Sequence, residues 1–259
     1  MKRGANLLDP ESVKEVIAQQ DWSEGYKKNV VDAYQGVVVL KGLTWTLPFY
    51  KRVNKLPFIP TEKEIDQLIS GVNYCISAFL QLLKETAIRP GEAWQLRWID
   101  LNCENKTVNI TPEKNSNPRL QKISNQLLSM LLAIPRKEEL IFKERYKSLN
   151  NLGRTFQRQR KKVAEKLANQ RVKAITFKTL RHWKATMEYH KTKDILHVKR
   201  LLGHKNINNT LIYTHLVNFE SDEWVCKVAG TIAEAGKLVE AGFDFITQFE
   251  GKMLFRKRK

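Results

Sequence analysis

Five histidines are spread along the 259 residues, and three of them, His190, His197 and His204, recur at seven-residue intervals. On one continuous helix that spacing would bring ring nitrogens to a common face, as a metal site requires. Gly203 breaks the helix before His204, and no carboxylate or cysteine cluster completes a ligand set, so the histidines predict no metal centre and no cofactor. The sequence also lacks a Walker-type glycine-rich phosphate loop, an HExxH helix and the carboxylate constellation of a two-metal nuclease. Phosphodiester chemistry on this chain would therefore proceed without metal. Such chemistry needs a nucleophile, several fixed positive charges on the non-bridging oxygens, and an acid for the leaving 5′-hydroxyl.

The charge balance says where a phosphate would be drawn. The chain has 45 Lys+Arg against 27 Asp+Glu, a formal net charge of +18, yet 42% of it is hydrophobic, which is enough for a core. The surplus is local: residues 136–205 hold 21 Lys/Arg and 6 Asp/Glu, while 61–135 and 206–259 balance to zero. Within that segment Arg154, Arg158, Arg160, Lys161, Lys162 and Lys166 are read as lining one side of a helix that grips nucleic acid. The longest apolar stretch, near Gly71–Leu83, is too short and too polar to span a bilayer, and the N-terminus has no signal-peptide core. With Cys75, Cys103 and Cys226 odd in number and widely separated, the chain reads as an intracellular, cytoplasmic protein with reduced thiols.

The elements that would position such residues are mainly helical. Asp9-Pro10 opens a helix with Val13, Val16 and Ile17 on one face, and a second runs over Ser23–Leu40. Pro48, Pro57 and Pro60 punctuate the next stretch, and a boundary between domains is placed at Leu56–Pro60. Thr61-Glu62-Lys63-Glu64 is a capping-box pattern that starts a new helix. Helices are expected over 74–84 and 86–98, then a β-hairpin from Thr107–Thr111 and Leu120–Ser124 around the loop Pro112–Pro118. Helical patterns return at 124–133, 151–170, 178–190, 194–202 and 207–215. A helix near Thr231–Glu240 and a second hairpin about Glu250-Gly251 end the chain, which makes the fold class mainly α with small antiparallel hairpins.

Five segments occur in an order that carries a resemblance. TAIRPGEAWQLRW (Thr86–Trp98), the hairpin with Lys114, FKTLRH (Phe177–His182), LLGHKN (Leu201–Asn206) and TLIYTH (Thr210–His215) together resemble the tyrosine recombinase family, which includes phage integrases and is related to type IB topoisomerases. The resemblance covers residues 58–216. It implies a catalytic domain over 57–216, a partial helical core-binding domain over 1–56 that helps clamp DNA, and a C-terminal helix-plus-hairpin extension over 217–259. Because so few residues precede the boundary, the N-terminal domain is read as truncated or minimal.

The resemblance also assigns roles. Tyr213, nine residues after Gly203-His204, matches the nucleophile, whose product would be a 3′-phosphotyrosine and a free 5′-hydroxyl. Arg89 and Arg181 match the two arginines whose forked donors hold the phosphate, each worth several kcal/mol, on the order of an oxyanion-hole donor. His204 matches the histidine that hydrogen-bonds the phosphate, and Lys114 the hairpin lysine that protonates the leaving oxygen, with Lys122 as its substitute. Lys178 stands where most relatives carry histidine. A lysine keeps the charge but accepts a proton poorly, and its presence is similar to integrases of archaeal viruses and plasmids. His182 and His215 flank matched positions and are read as structural.

The implied partner is double-stranded DNA, bound by a protein that is a monomer or weak oligomer when free and a homotetramer on its substrate. Residues 217–259 could serve protomer contacts, cap their own domain or touch DNA through Lys252 and the terminal basic residues. Two other readings fit the same residues: a basic DNA-binding protein without catalysis, and a DNA-relaxing enzyme of the type IB kind.

Overall fold

Residues 4–51, 56–113, 116–215 and 224–258 are described in the computed structural model. They divide into two compact units, residues 1–56 and 57–259. In the first, Asp9 caps α1 (Pro10–Gln19) by accepting from the Glu11 N–H, and Ser23 caps α2 (Glu24–Lys41) by accepting from the Tyr26 N–H. The two helices bury Val13 and Ile17 against Val31, Tyr34 and Val38. Tyr34 meets Trp45 edge to face and donates its hydroxyl to the Leu7 carbonyl at 2.9 Å, which ties down the entry to α1.

The second unit is built around α4 (Tyr74–Thr86), on which nine residues, from Cys75 to Thr86, are buried. Before it, α3 (Glu62–Ser70) begins in the expected capping box: Thr61 accepts from the Glu64 N–H while the Glu64 carboxylate accepts from the Thr61 N–H. Around α4 pack α3, α6 (Asn125–Leu132) and α8 (Phe177–Thr192), while α7 (Leu149–Lys166) packs on α3 and joins the same core. Phe79 of α4 makes edge contacts with Phe142 and Phe177, and Phe156 of α7 stacks on Phe177 at 4.6 Å. This aromatic cluster anchors the start of α8, the helix that carries Lys178 and Arg181.

The helix expected over 86–98 is not one helix. Ala87 takes a left-handed conformation (φ 52°) that stops α4, Arg89 is extended, and Pro90 opens a short α5 (Pro90–Trp94) as its first residue. The hairpin gains a strand: β1 (Leu101–Asn102) joins β2 (Thr107–Ile110) and β3 (Arg119–Lys122) in an antiparallel sheet, with Leu101 opposite Val108 and Val108 opposite Gln121. α7 ends at Lys166 rather than 170, where Ala168 turns to φ 49°. Beyond it, α9 (Ile195–Leu202) closes on Gly203, and α10 (Asn208–Leu211) runs into a 3₁₀ turn, Ile212–His215.

The C-terminal segment is a sheet rather than a lone hairpin. β4 (Trp224–Ala229) pairs antiparallel with β6 (Lys252–Arg258), which also pairs with β5 (Asp244–Phe249), and α11 (Ile232–Glu240) links the first two strands. Among the described residues no helix is long and apolar enough to cross a membrane, and no group of His, Cys, Asp and Glu is placed to hold a metal ion. His197 instead pairs with Glu188 at 3.2 Å. All three cysteines are free thiols.

Candidate active site

The left-handed residue Ala87 and the glycine turn at Gly203 aim two backbone carbonyls at one guanidinium. Arg181, buried on α8, donates Nη1 to the Ala87 carbonyl and Nη2 to the Leu202 carbonyl at 2.7 Å. Its Nη2 also donates to His204 Nε2 at 3.1 Å. An arginine cannot accept, so His204 Nε2 is the acceptor and the proton sits on Nδ1, which faces Thr210 Oγ1 at 2.9 Å. Burial and the nearby charges of Arg89 and Arg119 lower the Arg181 pKa to about 9, still charged at neutral pH. Burial, then Arg181, Arg89 and Arg119, push His204 down to about 4. His204 is thus neutral in the free protein and gains affinity for a proton once an anion balances the arginines.

Gly203 is required where it stands. Its φ is +67°, and a Cβ there would lie 2.9 Å from both the Asn117 carbonyl oxygen and Arg119 Nη1. Asn117 donates its N–H to the Gly203 carbonyl at 3.0 Å, joining the base of the hairpin loop to the end of α9.

Arg89 is held from below by Glu92. The Glu92 side chain is fully buried; it accepts from Arg89 Nη1 and the Arg89 N–H, both at 3.0 Å, from Arg119 Nη2 at 2.6 Å and from Ser116 Oγ at 3.0 Å. Burial alone would raise its pKa, but the bonds from Arg119 and Arg89 outweigh that and hold it at about 2. Arg89 keeps 24% of its side chain exposed, so donors remain for a ligand.

Tyr213 lies 3% exposed in a small cluster with Ala87, Ala185, Val198, Leu201 and Leu202. Its hydroxyl is 3.0 Å from His182 Nδ1. Burial raises the phenol pKa, while the charges of Arg181 and Arg89 pull it back. Lys178 is exposed on the first turn of α8, where its charge acts on His182. The fold therefore assembles Arg89, Arg181, His204 and Tyr213 from four separate elements and sets Lys178 beside them. Lys114 lies outside the described residues.

Sequence reasoning missed Glu92 and Arg119, and it read His182, whose Nδ1 stands against the Tyr213 hydroxyl, as structural. Glu92 sits three residues after Arg89, the spacing of one helical turn, and His182 is four residues after Lys178, on the same stripe of α8; those spacings were the available signals. Arg119 is 27 residues from Glu92, and only the hairpin brings the two together.

The basic helix needs one correction. At about 100° per residue, Arg154, Arg158, Lys161 and Lys162 of α7 share a face, whereas Arg160 points to the opposite side. Arg160 donates Nη1 to the Ile175 carbonyl at 2.6 Å and lies over the Phe156 ring, so it braces the segment leading into α8. Arg154 and Arg160 border a cleft of about 460 Å³ with Gln157, Thr176 and Phe177, next to the helix start that bears Lys178.

The chain is 28% identical over 204 residues to the tyrosine recombinase XerA of Saccharolobus solfataricus, covering 73% of this chain and 65% of that protein. It is 30% identical over 184 residues to XerD of Oceanobacillus iheyensis, covering 64% of this chain and 60% of the relative. The chain thus spans less than two thirds of the length of these relatives. In fold it is similar to the Tn1549 transposon integrase solved with a circular intermediate DNA, with a TM-score of 0.67 at 17% identity over 85% of this chain and 84% of that one. Residues 60–219, which contain every residue of the arginine, histidine and tyrosine cluster, match the phage integrase family, and the chain belongs to that family of tyrosine recombinases.

Proposed function

We propose that the protein is a site-specific DNA recombinase that cleaves and rejoins strands through a 3′-phosphotyrosine, without metal or ATP. The observation that carries this reading is the convergence of a buried tyrosine hydroxyl, a histidine and two arginines drawn from residues 89, 181, 204 and 213. In the proposed mechanism the scissile phosphate takes up the donors of Arg89 and Arg181, and Tyr213 Oη attacks phosphorus. The 5′-oxygen leaves with a proton from a lysine, the role given to Lys114. The phosphodiester bond energy is kept in the tyrosyl linkage, so the released 5′-hydroxyl can reverse the step on a new partner strand. His204, neutral when free, takes a proton from solvent at Nε2 as the phosphate balances the arginines, and that N–H then donates to a non-bridging oxygen in place of accepting from Arg181. Lys178 supplies charge rather than a base.

The reading extends to the organisation of the chain. Residues 1–56 would complete a clamp on the duplex, 57–216 perform the chemistry, and 217–259 serve contacts between protomers in a tetramer on DNA. An integrase of an archaeal virus or plasmid is the favoured source class, on the strength of Lys178.

The test is covalent capture. A nicked suicide duplex carrying the site that the protein itself selects from a randomised DNA pool is incubated with protein in EDTA and no nucleotide. A protein–DNA adduct whose DNA-bearing peptide contains Tyr213 is expected; selective noncovalent binding with no adduct would favour a binding protein.

The face of α7 gives a second expected result. Substituting Arg154, Arg158 and Lys161 together by Ala should make the slope of log affinity against log salt shallower by about 3, near 0.9 for each phosphate no longer neutralised. Arg160→Ala should leave that slope unchanged and lower the unfolding temperature instead, because its guanidinium is spent on Ile175. Affinity titrations between low and moderate salt decide between the two.

A further inference from the structure

We propose that His182 is the proton acceptor for Tyr213, a catalytic role distinct from those of Arg181 beside it and Lys178 one turn earlier. The inference rests on the reading of Tyr213 as the nucleophile. It begins from geometry: His182 Nδ1 stands 3.0 Å from Tyr213 Oη, and the two rings are 5.8 Å apart between centroids and tilted by 47°. That is hydrogen-bonding reach for the proton that must leave as the phenolic oxygen attacks. Each partner is also held. His182 is carried by α8, whose neighbouring residues Arg181 and Trp183 are buried, and Tyr213 is wedged among Ala87, Ala185, Val198, Leu201 and Leu202.

The position where a base would be sought is occupied by Lys178, and an ammonium carries three donors and no acceptor. His182 offers an acceptor. Burial first, then the charges of Lys178 and Arg181, press its pKa down to about 4 and keep the ring neutral. With the proton on Nε2, Nδ1 accepts from the tyrosine. Such a ring is a weak base in the free protein, and DNA changes that. A phosphate seated against Arg181, with its neighbours near Lys178, cancels the charges that disfavour imidazolium, so proton affinity rises when the substrate is in place. The groups acting on the pair are Lys178 and Arg181 from α8, and Arg89 from the turn before α5, which reaches Tyr213.

The step balances. The Tyr213 O–H bond breaks and its proton passes to His182 Nδ1, while the Oη–P bond forms. The P–O5′ bond breaks, and the leaving oxygen takes a proton from the lysine acid. On rejoining, the 5′-hydroxyl returns its proton to the lysine amine as it attacks phosphorus, the P–Oη bond breaks, and the His182 imidazolium gives its proton back to the leaving Tyr213 oxygen.

The test uses the full chain and the nicked suicide duplex described above. His182→Asn keeps a hydrogen-bonding group near the Nδ1 position and removes the base; His182→Gln is a second variant with the same loss. Both are expected to match the wild type in noncovalent DNA affinity and to form adduct about 10²-fold more slowly at neutral pH. Their adduct rate should climb about tenfold per pH unit between about pH 7 and 9, because the phenol must then ionise unaided, whereas the wild type stays flat across that range. Variants that retain the wild-type rate, or that lose rate equally at every pH, would overturn the proposal, since a structural histidine predicts no change in profile. Adduct formation by Tyr213→Phe would instead overturn the nucleophile on which the proposal rests.

Discussion

Tyr213→Phe should abolish the covalent protein–DNA adduct while leaving fold and noncovalent binding almost untouched. The separation follows from how the side chain is held. The ring is 3% exposed and packs on Ala87, Ala185, Val198, Leu201 and Leu202, and phenylalanine repeats all of that packing. Only the hydroxyl is lost, and with it one hydrogen bond to His182, worth about 1 kcal/mol. The chemistry loses its attacking atom altogether. Tyr189 packs against the same cluster, but among the described residues no observed contact sets a tyrosine other than Tyr213 against Arg181, His182 or His204. Adduct on a denaturing gel, read beside a thermal melt and a binding titration, checks this. Residual adduct in the variant would move the nucleophile to another residue.

Much of this site could be read from the chain because its parts are local. Thr61 and Glu64 form their capping box within four residues, Asp9-Pro10 starts α1, and Gly203 ends α9 and turns the chain toward His204. The resemblance carried by Thr86–Trp98, Phe177–His182 and Thr210–His215 pointed to Arg89, Arg181 and Tyr213, and the fold brings those three together. What stayed hidden depends on partners distant in sequence. The break at Ala87–Arg89 matters because the Ala87 carbonyl serves Arg181, 94 residues on. Likewise β4 becomes a strand by pairing with β6, whose register runs from Trp224 opposite Arg258 to Ala229 opposite Met253. Arg160 is a different case: its angle on α7 was computable from the sequence, and counting charges along the helix concealed it.

These placements describe an electrostatic arrangement that only an anion completes. Arg89, Arg119 and Arg181 lie close enough for their charges to lower the His204 pKa, and Lys178 and Arg181 do the same to His182. Against them stands one buried carboxylate, Glu92, which is spent on Arg89 and Arg119. Among the described residues, the charges that act on the two neutral histidines are therefore mostly positive. A phosphodiester entering there relieves repulsion and raises the proton affinity of both histidines in the same event. On the proposed mechanism, substrate binding would prepare the acceptor and the donor that the reaction needs, while both rings are neutral in the free protein.

Glu92→Gln tests the foundation of that arrangement. The substitution keeps the size of the side chain and removes its charge, leaving Arg119, whose side chain is 6% exposed, facing an amide that can satisfy it only in part. Breaking a buried pair in this way costs about 3–5 kcal/mol. An independent figure comes from titration. The carboxyl is lowered from 4.5 to about 2, a shift worth about 3 kcal/mol. The sign follows from the depressed pKa: this contribution is fully present above the unfolded value near 4.5 and is lost as pH falls through about 2, where the native carboxyl also takes a proton. Denaturant melts of wild type and variant should therefore differ by about 3 kcal/mol at neutral pH, and the difference should shrink steadily below about pH 4.5. The adduct rate should fall as well, because Arg89 loses the carboxylate that orients it. A stability difference that stayed constant down to low pH would mean that Glu92 contributes through its shape and packing, and that its charge does not hold Arg89 and Arg119 in place.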